Sequence, residues 1–81
     1  MIITSPYATE KTLTLIDYEN SLQFRVRKDA RKGEIKKEVE RLFDVEVEKI
    51  TTKIGRKGKI ATVKLTPEYM ASEVATRIGV M

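Results

Sequence analysis

The residues NSLQFRVRKDARKGEIKKEVERLFDVEVEKI, positions 20–50, decide the fold because their hydrophobic period changes twice. Leu22, Phe24 and Val26 alternate with polar residues, which predicts a half-buried strand. After Asp29, a candidate helix N-cap, the period lengthens to that of an amphipathic helix, with apolar residues at i, i+4, i+7 and i+8. These apolar positions are Ile35, Val39, Leu42 and Phe43.

Alternation returns after this helix, at Val45 and Val47, so the segment reads strand–helix–strand. The pattern resumes out of phase at Ile50, which predicts a β-bulge near residues 48–49. A helical crossover between two strands of one sheet favours parallel strands.

The segments on the N-terminal side predict two more elements. MIIT, positions 1–4, is typical of a short edge strand that Pro6 ends. TEKTLTLI, positions 9–16, predicts a short helix with Thr9 as its N-cap.

The C-terminal side predicts a hairpin and a last helix. GRKGK, positions 55–59, is short enough to join the preceding strand to KIATVKL, positions 59–65, as antiparallel neighbours. Thr66 then caps a helix with Pro67 at its first position, and Gly79 ends it. The predicted inner stripe of this helix is Met70, Val74 and Ile78.

This order predicts one α+β domain over residues 1–81. Its sheet, antiparallel or mixed, has three to four strands in a split β-α-β layout, with the last strand between the two parallel ones and helices as cover. The predicted core is Leu22, Phe24, Val26, Ile35, Val39, Leu42, Phe43, Val45, Val47, Val63, Leu65, Val74 and Ile78, and strand alternation also directs Ala61 inward.

Composition restricts the possible functions. The chain has no cysteine and no histidine, so thiolate chemistry and the usual general base are excluded. No apolar run approaches the length of a membrane span, and no signal-peptide pattern stands at the N-terminus, so we expect a cytoplasmic protein. Sixteen Lys and Arg against twelve Asp and Glu give a net charge of +4.

Cations are concentrated in two zones. Residues 25–37 hold seven cations and two acids, and residues 53–64 hold five cations and no acid. A glycine-containing hairpin tip with several cations can enter folded RNA and neutralise phosphates, although glycines also serve turns and lysines also protect sheet edges. The RNA-binding candidates from this pattern are Arg25, Arg27, Lys32, Lys36, Lys53, Arg56, Lys57 and Lys59.

Five acids and one base occupy residues 38–48. Asp44, Glu46 and Glu48 recur at every second position, which on a strand puts them on one face. A solvated acidic face explains this pattern more simply than a metal cluster, so we predict no catalytic or metal site and no cofactor. A carboxylate or metal enzyme and a stand-alone RNA-binding regulator remain the alternatives.

Four segments in this order and spacing resemble the archaeal and eukaryotic form of the large-subunit ribosomal protein L23 family. They are SPYATEKT, FRVRKDARKGEIKKEVERLFDVEVEKITT, KIATVKL and LTPEYMASEVATRIGV, and they cover almost the whole chain. The family motif P-x-x-T-E-K falls at residues 6–11 and adds Lys11 to the RNA-binding candidates. The chain departs from the family at Arg31 and Thr51, where asparagine is usual, and at Ile60, where a base or polar residue is common.

The resemblance implies a non-enzymatic protein that binds large-subunit ribosomal RNA beside neighbouring ribosomal proteins at the nascent-chain exit tunnel. It also implies docking of targeting factors, the signal recognition particle and the translocon, at positions that correspond here to Glu10 and Asp44. The five-residue hairpin tip, without the long insertion of bacterial relatives, and the lack of a long basic N-terminal extension favour an archaeal source.

Overall fold

The computed structural model describes residues 2–56 and 58–80 and has the predicted order of elements. The strands are β1 (Ile3–Pro6), β2 (Ser21–Val26), β3 (Val47–Gly55) and β4 (Gly58–Leu65). The helices are α1 (Glu10–Glu19), α2 (Lys32–Phe43) and α3 (Ala71–Ile78). None of these helices is long and apolar enough to cross a membrane.

The four strands form one sheet in the order β1-β2-β4-β3, and each neighbouring pair is antiparallel. Because β4 is antiparallel to both β2 and β3, the two strands that flank α2 run parallel with β4 between them. This confirms the split β-α-β layout and the α+β class. The register of β3 against β4 shifts between Val47 and Lys49, which confirms the predicted bulge.

Much of the core lies between α2 and one face of the sheet. Phe24, Ala61 and Val63 are fully buried there, together with Ile35 and Val39 of α2. The remaining predicted core residues are buried or partly buried, except Leu42. Buried hydrophobic residues outside the prediction are Ile3, Ile16, Ala30, Ile50, Ala71 and Ala75.

The prediction for Leu42 is wrong, since this residue is 38% exposed. Ile35, Val39 and Phe43 form an i, i+4, i+8 row that faces the sheet, and Leu42 lies at the margin of that row. Phe43 packs against the core and its ring stacks on Phe24, with 5.5 Å between the ring centroids.

Two predicted helix starts are also wrong. The N-cap of α2 is Arg31 rather than Asp29, and Glu34 accepts a hydrogen bond from the Arg31 backbone N–H at 2.9 Å. The third helix begins at Ala71 rather than Pro67. Residues 66–69 form a turn instead, so Met70 is 56% exposed, and the buried face of α3 is Ala71, Val74 and Ala75.

Asn20 explains the late start of α3. It ends α1 in the left-handed conformation, with φ 51°, and its side-chain amide donates to the Tyr69 carbonyl at 2.8 Å. Its side-chain oxygen accepts from the Ala71 backbone N–H at 2.8 Å. One side chain therefore fixes both the 66–69 turn and the first residue of α3, a role that no period in the sequence indicates.

Candidate nucleic-acid interface

The face of the sheet that points away from the core is polar. Strand alternation places Arg25, Ile60 and Lys53 in one row across β2, β4 and β3. Gln23, Thr62 and Thr51 form the next row. We call this surface the open face of the sheet.

A groove of about 480 Å³ lies on the open face, between the N-terminal half of α1 and the hairpin. Three cations line it, Lys11, Lys53 and Arg56, and no acid does. All three cations are exposed, and no carboxylate of the described residues forms an ion pair with them. The remaining lining residues are Tyr7, Thr9, Leu15, Gln23, Thr51, Thr52, Gly55, Gly58, Ile60 and Thr62.

A line of side-chain hydrogen bonds holds α1 against this face. Thr9 caps the helix as predicted, accepting from the Thr12 backbone N–H at 3.2 Å. The buried Thr12 hydroxyl donates to the Gln23 side-chain oxygen at 2.6 Å, and the Gln23 amide donates to the Thr62 hydroxyl at 3.1 Å. With Thr12 facing the sheet, Lys11 is directed to the groove. No pattern in the sequence predicts this network, because each of these residues is unremarkable alone.

Two predicted RNA-binding residues lie on the open-face side of β2 but do not line the groove. Arg25 is half-buried in the row of Ile60, and its Nε is buried without a hydrogen-bond partner among residues 2–56 and 58–80. Arg27 follows the strand end and pairs with Asp29 at 3.1 Å. Because both ends of this ion pair are exposed, it holds Arg27 only weakly.

Lys59 has a structural contact. Its ammonium donates to the Ala30 carbonyl at 2.6 Å and approaches the Lys28 carbonyl at 3.5 Å. Two of its three donors are therefore directed to the loop between β2 and α2, away from the groove. The other predicted tip residue, Lys57, is outside the described residues.

Lys32 and Lys36 lie elsewhere. They line a smaller groove of about 160 Å³ between α2 and β3, together with Lys49 and Glu48. The structure thus brings three of the nine predicted cations together in one groove and places these two on another side of the domain.

Two acids of the 38–48 zone bind backbone N–H groups. One carboxylate oxygen of Glu38 accepts from Ile2 and Ile3, each at 2.9 Å, and the other accepts from Arg41 at 3.3 Å. These donors, led by the Ile3 N–H, lower the pKa of Glu38 despite the opposing effect of burial. Glu40 accepts from the Val47 N–H at 2.9 Å, so both acids connect α2 to strand ends.

The three alternating acids do not share a strand face. Asp44 ends α2 in the left-handed conformation, with φ 54°, and Glu46 precedes β3. Glu48 lies at the bulge, 3.7 Å from Lys64. Within the described part of the chain, no three carboxylates converge as metal ligands.

Glu10 and Asp44 are both exposed but belong to different helices. Glu10, Leu13 and Asp17 follow at i, i+3 and i+7, which places them on the face of α1 opposite Lys11. Asp44 lies where β3 begins, at the end of the sheet remote from the hairpin tip. The structure therefore gives the two acids separate surroundings.

The fold and the groove define a small, basic α+β domain with a groove that three cations and no acid line. The family model for ribosomal protein L23 matches residues 1–73. The chain belongs to the ribosomal protein L23 family, as its motifs predicted.

Relatives cover nearly the whole chain. The large ribosomal subunit protein uL23 of Thermoplasma acidophilum is 54% identical over 79 residues, which cover 98% of this chain and 94% of the relative. The uL23 protein of Methanobrevibacter smithii is 48% identical over 80 residues, covering 98% and 93%. Both relatives are archaeal. Membership of this family makes the chain a ribosomal protein rather than an enzyme and locates it in the cytoplasm, which confirms both predictions.

Proposed function

We propose that the chain is a structural component of the large ribosomal subunit and binds ribosomal RNA through the groove on its open face. The observation that carries this proposal is the convergence of Lys11, Lys53 and Arg56 on a surface that no acid lines. Exposed cations without ion-pair partners can bind phosphate without first breaking a contact with a protein carboxylate.

The other predicted cations have secondary roles in this proposal. Arg25 extends the groove surface along β2, and Arg27 adds charge beyond the strand end. Lys57 stays an RNA-binding prediction from the sequence. Lys32 and Lys36 contact a second RNA segment on the α2 side. Lys59 acts mainly through the loop carbonyls that it holds, so it contributes less to RNA affinity than its position in the tip suggests.

The test is a triple variant, Lys11→Ala with Lys53→Ala and Arg56→Ala, titrated with large-subunit ribosomal RNA at several salt concentrations. Each lost phosphate contact should reduce the slope of log affinity against log salt by about 0.7–0.9. A matched control, Lys28→Ala with Lys37→Ala and Arg77→Ala, removes three exposed cations outside the groove. Equal slopes for the two triples would contradict the groove as the binding surface.

A stand-alone regulator of the same fold would bind RNA outside the ribosome. Co-sedimentation of the native protein with large subunits in high salt, where weak electrostatic complexes dissociate, separates that alternative from a structural subunit protein.

We further propose that the surface turned away from RNA receives factors that meet emerging chains at the exit tunnel, the signal recognition particle and the translocon, through Glu10 and Asp44. The position of Glu10 supports this, because Glu10, Leu13 and Asp17 form an exposed face of α1 opposite the groove. Phosphate would repel these acids, whereas a basic partner would be attracted to them.

Charge reversal in assembled ribosomes tests the docking proposal. Glu10→Lys with Asp44→Lys should leave assembly normal and weaken binding of the signal recognition particle. Because the two acids occupy different helices, the single variants identify which one carries the effect. Failed assembly with intact particle binding would instead place these acids on the RNA side.

A further inference from the structure

Part of the groove wall is apolar. Tyr7 and Leu15 line it from the α1 side and Ile60 from the sheet, and all three side chains are half-buried. Phosphate binding uses the cations at Lys11 and Lys53 and gains nothing from an apolar wall. The groove therefore offers apolar contacts that the binding of a phosphate backbone alone does not require.

The volume of the groove agrees with a larger ligand. About 480 Å³ falls within the range of about 300–1,000 Å³ that is typical of sites for whole small molecules. Such sites combine apolar walls with a few placed polar groups. A nucleotide has both components, because its base is a flat, largely apolar ring and its phosphate is an anion.

Some polar groups of the groove wall already form hydrogen bonds within the protein, and others keep a free donor. The Gln23 amide is held in a fixed orientation, since its oxygen accepts from Thr12 and its nitrogen donates to Thr62. The Thr62 hydroxyl accepts that bond and keeps its own proton available as a donor. Thr51 lies beside Thr62 in the same cross-strand row and supplies a second hydroxyl.

We propose that this groove takes one unstacked nucleotide of the bound RNA. Its base lies against Tyr7, Leu15 and Ile60, within reach of the Thr62 hydroxyl, and its flanking phosphates lie at Lys11, Lys53 and Arg56. This inference rests on the proposed RNA binding and specifies its substrate, a looped-out or single-stranded nucleotide. A continuous duplex keeps its bases stacked and presents no free ring to an aromatic side chain.

The test uses two probes, a single-stranded hexa-adenylate and an RNA duplex with the same number of phosphates. The variant is Tyr7→Leu, which removes the aromatic ring and leaves the charge unchanged. It should weaken hexa-adenylate binding about five- to 150-fold, the range for one base stacked on an aromatic ring, and should not change the salt dependence. Duplex binding should be unaffected.

Tyr18→Leu is the matched control. Tyr18 lies in α1, which follows Tyr7 in the chain, but it is 82% exposed and does not line the groove. It should bind both probes as the unmodified protein does. Tyr7→Phe, which keeps the ring, should retain hexa-adenylate affinity.

A second measurement does not depend on folding of a variant. In NMR spectra of the unmodified protein, hexa-adenylate should shift the ring protons of Tyr7 and leave those of Tyr18 unchanged, and the duplex should shift neither. Equal Tyr7 shifts with both probes, or unchanged affinity of a folded Tyr7→Leu variant, would overturn the inference. Such a result leaves the proposed RNA binding intact, because that proposal fails only if the cation triple keeps its salt dependence.

Discussion

Charged residues behave differently on the two sides of the sheet. On the α2 side, Glu38 and Glu40 accept backbone N–H groups, and Lys59 donates to backbone carbonyls. On the groove side, Lys11 and Lys53 are exposed and form no ion pair with a described carboxylate. Residues of the same type thus serve the fold in one region and remain free for a ligand in the other.

The physical reason is the position of unpaired backbone groups. The ends of β1, β3 and the loop before α2 leave N–H and C=O groups without a ladder partner, and nearby charged side chains satisfy them. The groove lies along the edge strand β3, but none of its three cations forms an ion pair with a described carboxylate. The charge of a segment therefore does not by itself indicate a binding role.

The largest expected effect is on the free energy of unfolding, and it distinguishes the buried face of the sheet from the open face. Phe24→Ala should lower the free energy of unfolding by about 3–5 kcal/mol, because this ring is fully buried and stacks on Phe43. Ile60→Ala, on the half-buried open face, should cost clearly less. Phe43→Ala should also cost less than Phe24→Ala, since Phe43 is only partly buried. Chemical denaturation measures all three, and equal costs for Phe24 and Ile60 would mean that the open face is covered.

Glu38→Gln tests the structural role of acids on the α2 side. It should lower the free energy of unfolding by about 1.5–3 kcal/mol, because hydrogen bonds to a charged acceptor are replaced by weaker ones. Glu46→Gln, an exposed acid beside β3, is the control and should change little. A similar small effect for both would show that the Glu38 contacts add nothing to stability.

The same carboxylate gives a pH dependence. The pKa of Glu38 is lowered from 4.5 in the fold, so the unfolded chain binds the proton more readily. Its stabilising contribution is complete above pH 4.5 and is lost as the pH falls through the lower pKa of the folded state. Below pH 4.5, acid unfolding curves should therefore show a steeper loss of stability with falling pH for the unmodified protein than for Glu38→Gln.

Lys59→Met and Lys53→Met, two variants of the same hairpin, distinguish an effect on stability from an effect on RNA binding. Lys59→Met should cost about 1 kcal/mol of stability, since it removes the donor to the Ala30 carbonyl, and should change the salt slope of RNA binding little. Lys53→Met should leave stability nearly unchanged and reduce that slope by about 0.7–0.9. A stability loss for Lys53→Met together with a reduced salt slope for Lys59→Met would contradict the difference between the two sides of the sheet.

The smallest effect is expected at Leu42. Leu42→Ala should cost less than about 1 kcal/mol, below the usual range for a buried leucine, because the side chain is 38% exposed. A loss of several kcal/mol of stability, measured by thermal or chemical unfolding, would show that Leu42 is part of the core.

The sequence alone determined the elements, their order and the α+β class. Period changes around Leu22–Val26 and Ile35–Phe43 predicted strand and helix, because the side-chain direction follows directly from backbone geometry. The bulge near Lys49 and the Thr9 cap were also predictable, since each depends on neighbouring residues only. Family motifs over the whole chain identified a ribosomal protein.

Only the tertiary structure decided which charged residues share a surface. Lys11 and Lys53 are 42 positions apart and meet in one groove because Thr12 and Gln23 hold α1 on the open face. Lys59, close to Lys53 in sequence, faces the other side through strand alternation and binds a loop carbonyl. Long-range hydrogen bonds and strand register set these positions, and neither is encoded in the local pattern of a single segment.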